Sequence, residues 1–116
     1  MKLEINGIHT KTDKKLHDYV IKKIDKLERY IPRYARESAH IEVFLKETKI
    51  KTKRQYTCEV VIHLPKETLA TKETTMNMFA AVDIVEAKLK NLLRKYKDTH
   101  QSSKLHRRLF AKLRRR

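Results

Sequence analysis

The sequence predicts an α+β fold, a two-layer sandwich of order βαβββα in which a four-stranded mixed sheet carries two helices on one face. Three observations support this. Apolar and polar residues alternate in several short segments, as in half-buried strands. Two longer segments place apolar residues along one helical stripe, and such helices must cover another element. The length of 116 residues suits one domain with one core.

The first strand and the first helix are predicted between residues 2 and 31. Residues 2–8, KLEINGI, alternate Leu3 and Ile5 with polar neighbours and predict a strand. Three residues are candidate N-caps of the helix that follows: Thr10, Thr12 and Asp13. Its apolar stripe consists of Leu16, Tyr19, Val20, Ile24, Leu27 and Ile31. Pro32 predicts the end of this helix, because the residue before a proline avoids helical geometry.

The remaining elements are three strands and a second helix. Alternation over residues 39–48 and 55–64 predicts two strands, joined by a basic loop over residues 46–54. The threonine-rich residues 68–75 predict a weaker fourth strand. A helix is expected from about residue 76 to 98, with an apolar stripe of Met78, Val82, Val85, Leu89, Leu92 and Tyr96.

The order of elements constrains the topology and the domain organisation. The first helix joins the first two strands, which predicts a parallel pair with a right-handed crossover, followed by an antiparallel meander. Residues 1–98 are expected to form the domain. Residues 99–116 are expected to be a basic, flexible tail, because from His100 onward there are seven Lys or Arg and no acids.

The net charge of +15 is the strongest compositional signal. On so small a chain it favours polyanionic partners, namely RNA, DNA or an anionic membrane surface. The single cysteine excludes a disulfide framework within the chain, and the absence of a long apolar run excludes a membrane span. With no leader pattern at the N-terminus, a cytoplasmic protein is expected.

The sequence gives little support for an enzyme. Six histidines are scattered over different elements without a metal-binding spacing, and Gly7 alone cannot form a phosphate-binding loop. Cys58 lies on the inward face of a predicted central strand, where it is expected to be a small core residue and not a nucleophile. We therefore expect no catalytic residue, cofactor, metal or small-molecule substrate.

Cations collect on particular faces of both helices. One interpretation is that they merely keep the surface solvated. Their segregation, with few acids to balance them, favours a binding surface instead. The lysines are spaced along helices that lie flat on a sheet, which suits contacts to the phosphates of structured RNA better than reading of bases in the DNA major groove. Stacking of single-stranded bases is less favoured, because the open sheet face offers mainly Phe44. A membrane role would suit only the tail. The predicted surface comprises Lys23, Lys26, Arg29, Lys88, Asn91, Arg94 and Lys95, with a secondary set of Lys15, Lys22, Lys90, Arg107 and Arg108.

Three stretches resemble one known family. HTKTDKKLHDYVIKKIDKLERYIPRY, CEVVIHLP and NMFAAVDIVEAKLKNLLRKYKD occur in the order found in the ribosome hibernation promoting factors, the protein Y family, and cover about residues 1–98. The resemblance implies a βαβββα domain that binds 16S rRNA of the small ribosomal subunit near the decoding site. It implies inhibition of translation by occlusion of the mRNA and tRNA sites, and rRNA contacts from Lys23, Lys26, Arg29, Lys88 and Lys95.

The chain departs from the family pattern at three positions and in length. Asn91 stands where the family often has Arg, Asn77 where it usually has Asp, and Phe79 where it has Tyr. Asn and Asp cap helices about equally well, so Asn77 is expected to retain a capping role. Nothing corresponds to the second domain of long members, so the chain resembles either a short form or a truncated long form. A monomer is expected when the protein is free. Two alternatives stay open: a general structured-RNA or ribosome-assembly module, and a partner protein that modulates a sigma factor.

Overall fold

A computed structural model describes residues 1–8 and 13–114 and shows the predicted α+β sandwich. The sheet has the order β1-β2-β3-β4. β1 is parallel to β2, and the remaining pairs are antiparallel. The predicted mixed sheet is therefore confirmed. Its strands are β1 (Lys2–Ile8), β2 (His40–Ile50), β3 (Lys53–Leu64) and β4 (Glu67–Thr75).

The basic loop predicted over residues 46–54 is wrong. β2 and β3 pair continuously from His40↔His63 to Ile50↔Lys53, leaving a turn of Lys51 and Thr52. Charged side chains do not interrupt a ladder made of backbone hydrogen bonds, so the strands continue through the basic segment. Lys51 takes the left-handed conformation that the tight turn requires, with φ of 57°.

The first helical region is divided into three parts. α1 (Lys14–Asp25) continues as a 3-10 segment (Lys26–Tyr30), and a short α2 (Arg33–Arg36) follows Pro32. Asp13 is the N-cap, accepting a hydrogen bond from the Leu16 N–H at 2.7 Å. Thr10 and Thr12 lie outside the described residues. Ile31 is extended, with ψ of 128°, which confirms the helix stop that Pro32 predicts.

The last helix, α3 (Met78–Arg114), is longer than predicted. The predicted end near residue 98 is passed because no proline or glycine follows before the end of the chain. The Asn77 side-chain oxygen accepts a hydrogen bond from the Phe79 N–H at 2.8 Å, which confirms a capping role. The division into a domain of residues 1–98 and a tail of residues 99–116 stays a prediction.

One core lies between the sheet and the helices. α3 packs over β3 and β4 and contacts both α1 and the 3-10 segment. The predicted stripe of α3 needs one correction, because Leu93 is fully buried whereas Leu92 is half-buried. Buried residues of α1, including Val20 and Ile24, share a single cluster with the inward residues of β2 and β3. No helix in the described part of the chain is long and apolar enough to cross a bilayer.

Candidate nucleic-acid interface

An ion-pair cluster joins α1 to α3, and we call it the inter-helix seam (Tyr19, Lys23, Asp83, Glu86 and Lys90). The Lys23 Nζ lies 3.4 Å from Asp83 Oδ1 and 3.7 Å from Glu86 Oε2. The other oxygen of Glu86, Oε1, lies 2.9 Å from the Lys90 Nζ. Glu86 is only 6% exposed. This buried carboxylate is therefore compensated by two ammonium groups, one from each helix.

Hydrogen bonding and charge inside the seam perturb two pKa values. The Tyr19 hydroxyl donates to Asp83 Oδ1, and this hydrogen bond raises the pKa of Tyr19 above its usual value. The carboxylates of Asp83 and Glu86 raise the pKa of Lys23. Lys23 thus stays charged at neutral pH, but its charge is already balanced by the protein's own acids.

Tyr30 organises two more cations of α3 beside the 3-10 segment. The Lys90 Nζ and the Arg94 guanidinium carbon each lie 5.8 Å from the centre of its ring. Cation–π contacts of this length orient a cation without neutralising it. Arg94 remains exposed and is therefore available to an external anion.

The other predicted residues of α3 lie on its outer surface and on the flank near β4. An α-helix turns by about 100° per residue. Lys88 and Lys95 therefore project away from the side of α3 that carries Lys90 and Arg94. Asn91 lies between these two sides. Lys88 forms an ion pair with Glu73 of β4 at 2.5 Å. Lys95 and Asn91 are exposed, and no ion pair of Lys95 is found among the described side chains. The structure thus brings Lys23, Lys90 and Arg94 together and leaves Lys88 and Lys95 on the far flank.

The predicted residues of α1 and the 3-10 segment border an open cleft of about 490 Å³. Lys22, Lys26 and Arg29 line it together with Asp25, Glu28 and Arg36. Lys15 is exposed in the first turn of α1. Arg107 and Arg108 belong to α3, but their side chains lie outside the described residues.

Sequence reasoning missed several residues that the fold brings together. Glu86 had a recognisable signal, because it falls inside the apolar stripe and stands four residues before Lys90. No sequence signal marks a second cleft, of about 480 Å³, which we call the arginine cleft; its polar lining comprises Arg29, Arg33, Tyr34, Arg36 and Lys97. These residues come from the 3-10 segment, α2 and α3, so only the tertiary fold unites them.

The described residues show no chemistry typical of catalysis. Burial raises the pKa of the Cys58 thiol to about 12, so this side chain stays protonated and unreactive near neutral pH. Within residues 1–8 and 13–114, no group of three or more His, Cys, Asp or Glu is placed to hold a metal ion. The described surface instead carries exposed cations that belong to no ion pair, such as Lys26 and Arg94.

Comparison with known proteins points to one family. The chain is 29% identical over 107 residues to a ribosome hibernation promotion factor of Picosynechococcus, covering 91% of this chain and 54% of that protein. It is 31% identical over 97 residues to a ribosome hibernation promotion factor of Staphylococcus aureus, covering 84% and 48%. The chain therefore spans about half the length of the curated relatives it matches.

Two solved structures share the fold. The N-terminal domain of Thermus thermophilus Protein Y matches with a TM-score of 0.69 at 21% identity, covering 83% of this chain and 99% of that one. A ribosomal subunit interface protein from Coxiella burnetii matches with a TM-score of 0.68 at 23% identity, covering 84% and 98%. The model of the Sigma 54 modulation protein / S30EA ribosomal protein family matches residues 3–101. Since that match covers most of the chain, the protein belongs to this family.

Proposed function

We propose that this protein is a ribosome hibernation factor. It binds 16S rRNA of the small ribosomal subunit near the decoding site, and inhibits translation by occluding the mRNA and tRNA sites. It acts in the cytoplasm, as a monomer when free, and without catalysis. A bound factor and a bound set of mRNA and tRNA would exclude each other by mass action.

One structural observation carries the proposal: in the described part of the chain, both helical regions expose cations that belong to no ion pair. Lys22, Lys26 and Arg29 lie on one helical segment, and Arg94 and Lys95 on the other, all exposed to solvent. Lys and Arg at such intervals contact phosphates and read the shape of folded RNA. The names of the relatives, which are ribosome hibernation promotion factors, support the ribosome as the target.

The first test is sedimentation of the purified protein with empty ribosomes at moderate salt. The same measurement is repeated on ribosomes preloaded with mRNA and initiator tRNA. We expect binding to empty ribosomes and loss of binding after preloading. With roughly six to ten phosphates neutralised, log affinity should fall with log salt concentration by about 0.7 to 0.9 per contact. Binding that ignores preloading would contradict occlusion of the decoding site.

A pair of double variants tests the surface itself. Lys26→Glu combined with Lys95→Glu should release the protein from ribosomes, because two contacts to phosphate become repulsive. The matched control is Lys46→Glu combined with Lys72→Glu, which makes the same change of charge among the residues lining a hollow on the opposite sheet face. Circular dichroism should show both variants folded. If the two variants lose binding equally, net charge and not this surface governs affinity.

The two alternatives predict different outcomes of these experiments. A general RNA-binding or assembly module would bind arbitrary structured RNA as tightly as assembled small subunits. A protein that modulates a sigma factor would bind the transcription machinery and would not sediment with ribosomes. The description of the family includes this role, as Sigma 54 modulation protein. Preferential binding to empty ribosomes distinguishes the proposed function from both.

A further inference from the structure

We propose that the arginine cleft is a binding site for a single unpaired nucleotide of RNA, in which the base stacks on Tyr34 and the phosphate binds the surrounding cations. This inference deepens the proposed function and rests on it for the biological source of the RNA. It assigns a role to Arg33, Tyr34, Arg36 and Lys97. The cleft volume, about 480 Å³, falls in the range of sites for small ligands.

Among the described residues, the cations of the arginine cleft form no ion pair. The described lining of the cleft contains four cations, Arg29, Arg33, Arg36 and Lys97, and no carboxylate. In the part of the chain that the structure describes, none of the four belongs to an ion pair. Bringing four like charges together is unfavourable unless an anion joins them. The cleft therefore favours a polyanion such as an RNA backbone.

Arg36 is positioned for such an anion by the backbone. Its Nε donates to the Ile31 carbonyl at 2.9 Å, and its Nη2 donates to the Arg29 carbonyl at 3.4 Å. A guanidinium has five N–H donors in a fixed plane, so the remaining donors point in a defined direction. An oriented guanidinium loses little conformational entropy when it binds a phosphate through two parallel hydrogen bonds, in bidentate geometry.

Tyr34 supplies the feature that distinguishes a nucleotide from a simple anion. Its side chain is 52% exposed at the rim of the cleft. It shares a side-chain hydrogen bond with Tyr96, a buried residue whose hydroxyl donates to the Pro65 carbonyl at 2.9 Å. Tyr34 therefore places an aromatic side chain at the rim of a basic cleft, where half of its surface meets solvent. Aromatic rings beside a basic groove are the usual platform for unpaired bases.

A fluorescence experiment localises the interaction. The chain has no tryptophan, so Tyr34→Trp introduces a single tryptophan, whose emission can be excited selectively over that of the tyrosines. An oligoadenylate of six nucleotides should quench the tryptophan emission, because a base stacked on an indole ring quenches its fluorescence. The matched control is Ile50→Trp at the tip of the β2–β3 hairpin, a residue of similar exposure at 54%. Equal quenching at both positions, or none at position 34, would overturn the proposal.

An affinity comparison separates stacking from charge. Tyr34→Leu should weaken binding of the oligoadenylate by about tenfold and leave binding of base-free tripolyphosphate unchanged. Tyr34→Phe keeps the ring and should retain most of the affinity, which keeps the test valid if the leucine variant unfolds. Unchanged oligoadenylate affinity in a folded leucine variant would overturn the site. Failure of the wild-type protein to sediment with ribosomes would instead overturn the proposed function and leave this site standing.

Discussion

In the inter-helix seam, two lysines face two carboxylates, whereas the described lining of the arginine cleft has four cations and no carboxylate. Both regions look alike in the sequence, as basic residues on helical segments. In the seam, Lys23 of α1 pairs with Asp83 and Glu86 of α3, and Lys90 pairs with Glu86 within α3. In the cleft, Arg33 and Lys97 belong to no ion pair among the side chains that the structure describes. Basic residues that look alike in the sequence can therefore either be neutralised by the protein or stay available to an external anion.

The largest expected difference concerns stability. Glu86→Ala should lower the free energy of unfolding by about 2 kcal/mol, because it leaves Lys23 and Lys90 without their shared partner and opens a gap beneath them. Urea unfolding followed by circular dichroism measures this change. Glu37→Ala, an exposed control, should change stability by no more than about 0.5 kcal/mol. Equal losses in the two variants would show that the seam does not hold the helices together.

A second comparison uses the same charge reversal at two positions of the first helical region. Lys23→Glu places a third carboxylate beside Asp83 and Glu86 and should destabilise the fold clearly. Lys26→Glu, in the cleft that adjoins the arginine cleft through Arg29 and Arg36, should leave stability within about 0.5 kcal/mol of wild type.

The Lys26→Glu variant should instead show its effect on RNA binding. The slope of log affinity against log salt should become shallower by about one, as expected for one lost phosphate contact. A Lys26→Glu variant with an unchanged slope would remove this residue from the interface. A Lys23→Glu variant as stable as the Lys26→Glu variant would contradict the assignment of Lys23 to stability and of Lys26 to RNA binding.

The smallest expected effect is a pH dependence that originates in the seam. Folding raises the pKa values of Tyr19 and Lys23, so above about pH 10 the unfolded chain loses protons that the folded chain retains. Stability contributed by these groups is complete below that pH and is lost as pH rises through their folded pKa values. Tyr19→Phe should therefore show a slightly shallower decline of stability between about pH 9 and pH 11.

Wild type provides the reference for that measurement. Burial also raises the pKa of Cys58, which contributes a decline of the same sign in both proteins. Only the difference between the two pH profiles reports on Tyr19. Identical profiles would show that its hydrogen bond to Asp83 adds nothing to stability.

The elements that the sequence predicts correctly are those encoded by local pattern. Alternation identifies the strands, the apolar stripe identifies α1, and Asp13 and Pro32 mark where helical structure begins and stops. The end of α3 was not predictable from the change in composition at residue 99, because a basic segment without proline or glycine can continue a helix. Local pattern therefore predicts the elements better than it predicts their ends.

For the candidate site, local pattern predicts which residues are exposed cations but not which of them the fold pairs with acids. Sequence reasoning selected Lys23, Lys26 and Lys88 by their angle on a helix, and their role in binding rRNA stays a prediction. It had no means of knowing that Glu73 of β4 pairs with Lys88, or that Lys97 joins Arg33, because these residues lie far apart in the chain. Which cations are neutralised is a property of tertiary contacts.

The position of β1 in the sheet has a kinetic consequence. In the described sheet, β1 pairs only with β2, and the two strands are parallel. β1 can therefore pair with β2 only after the whole segment that contains α1 has folded back. β2, β3 and β4 are joined by short turns and form contacts between near neighbours, which close faster than distant ones. The N-terminal strand is therefore expected to be the last strand added during folding. Its backbone amides should also be the first of the sheet to exchange with solvent when the native protein opens.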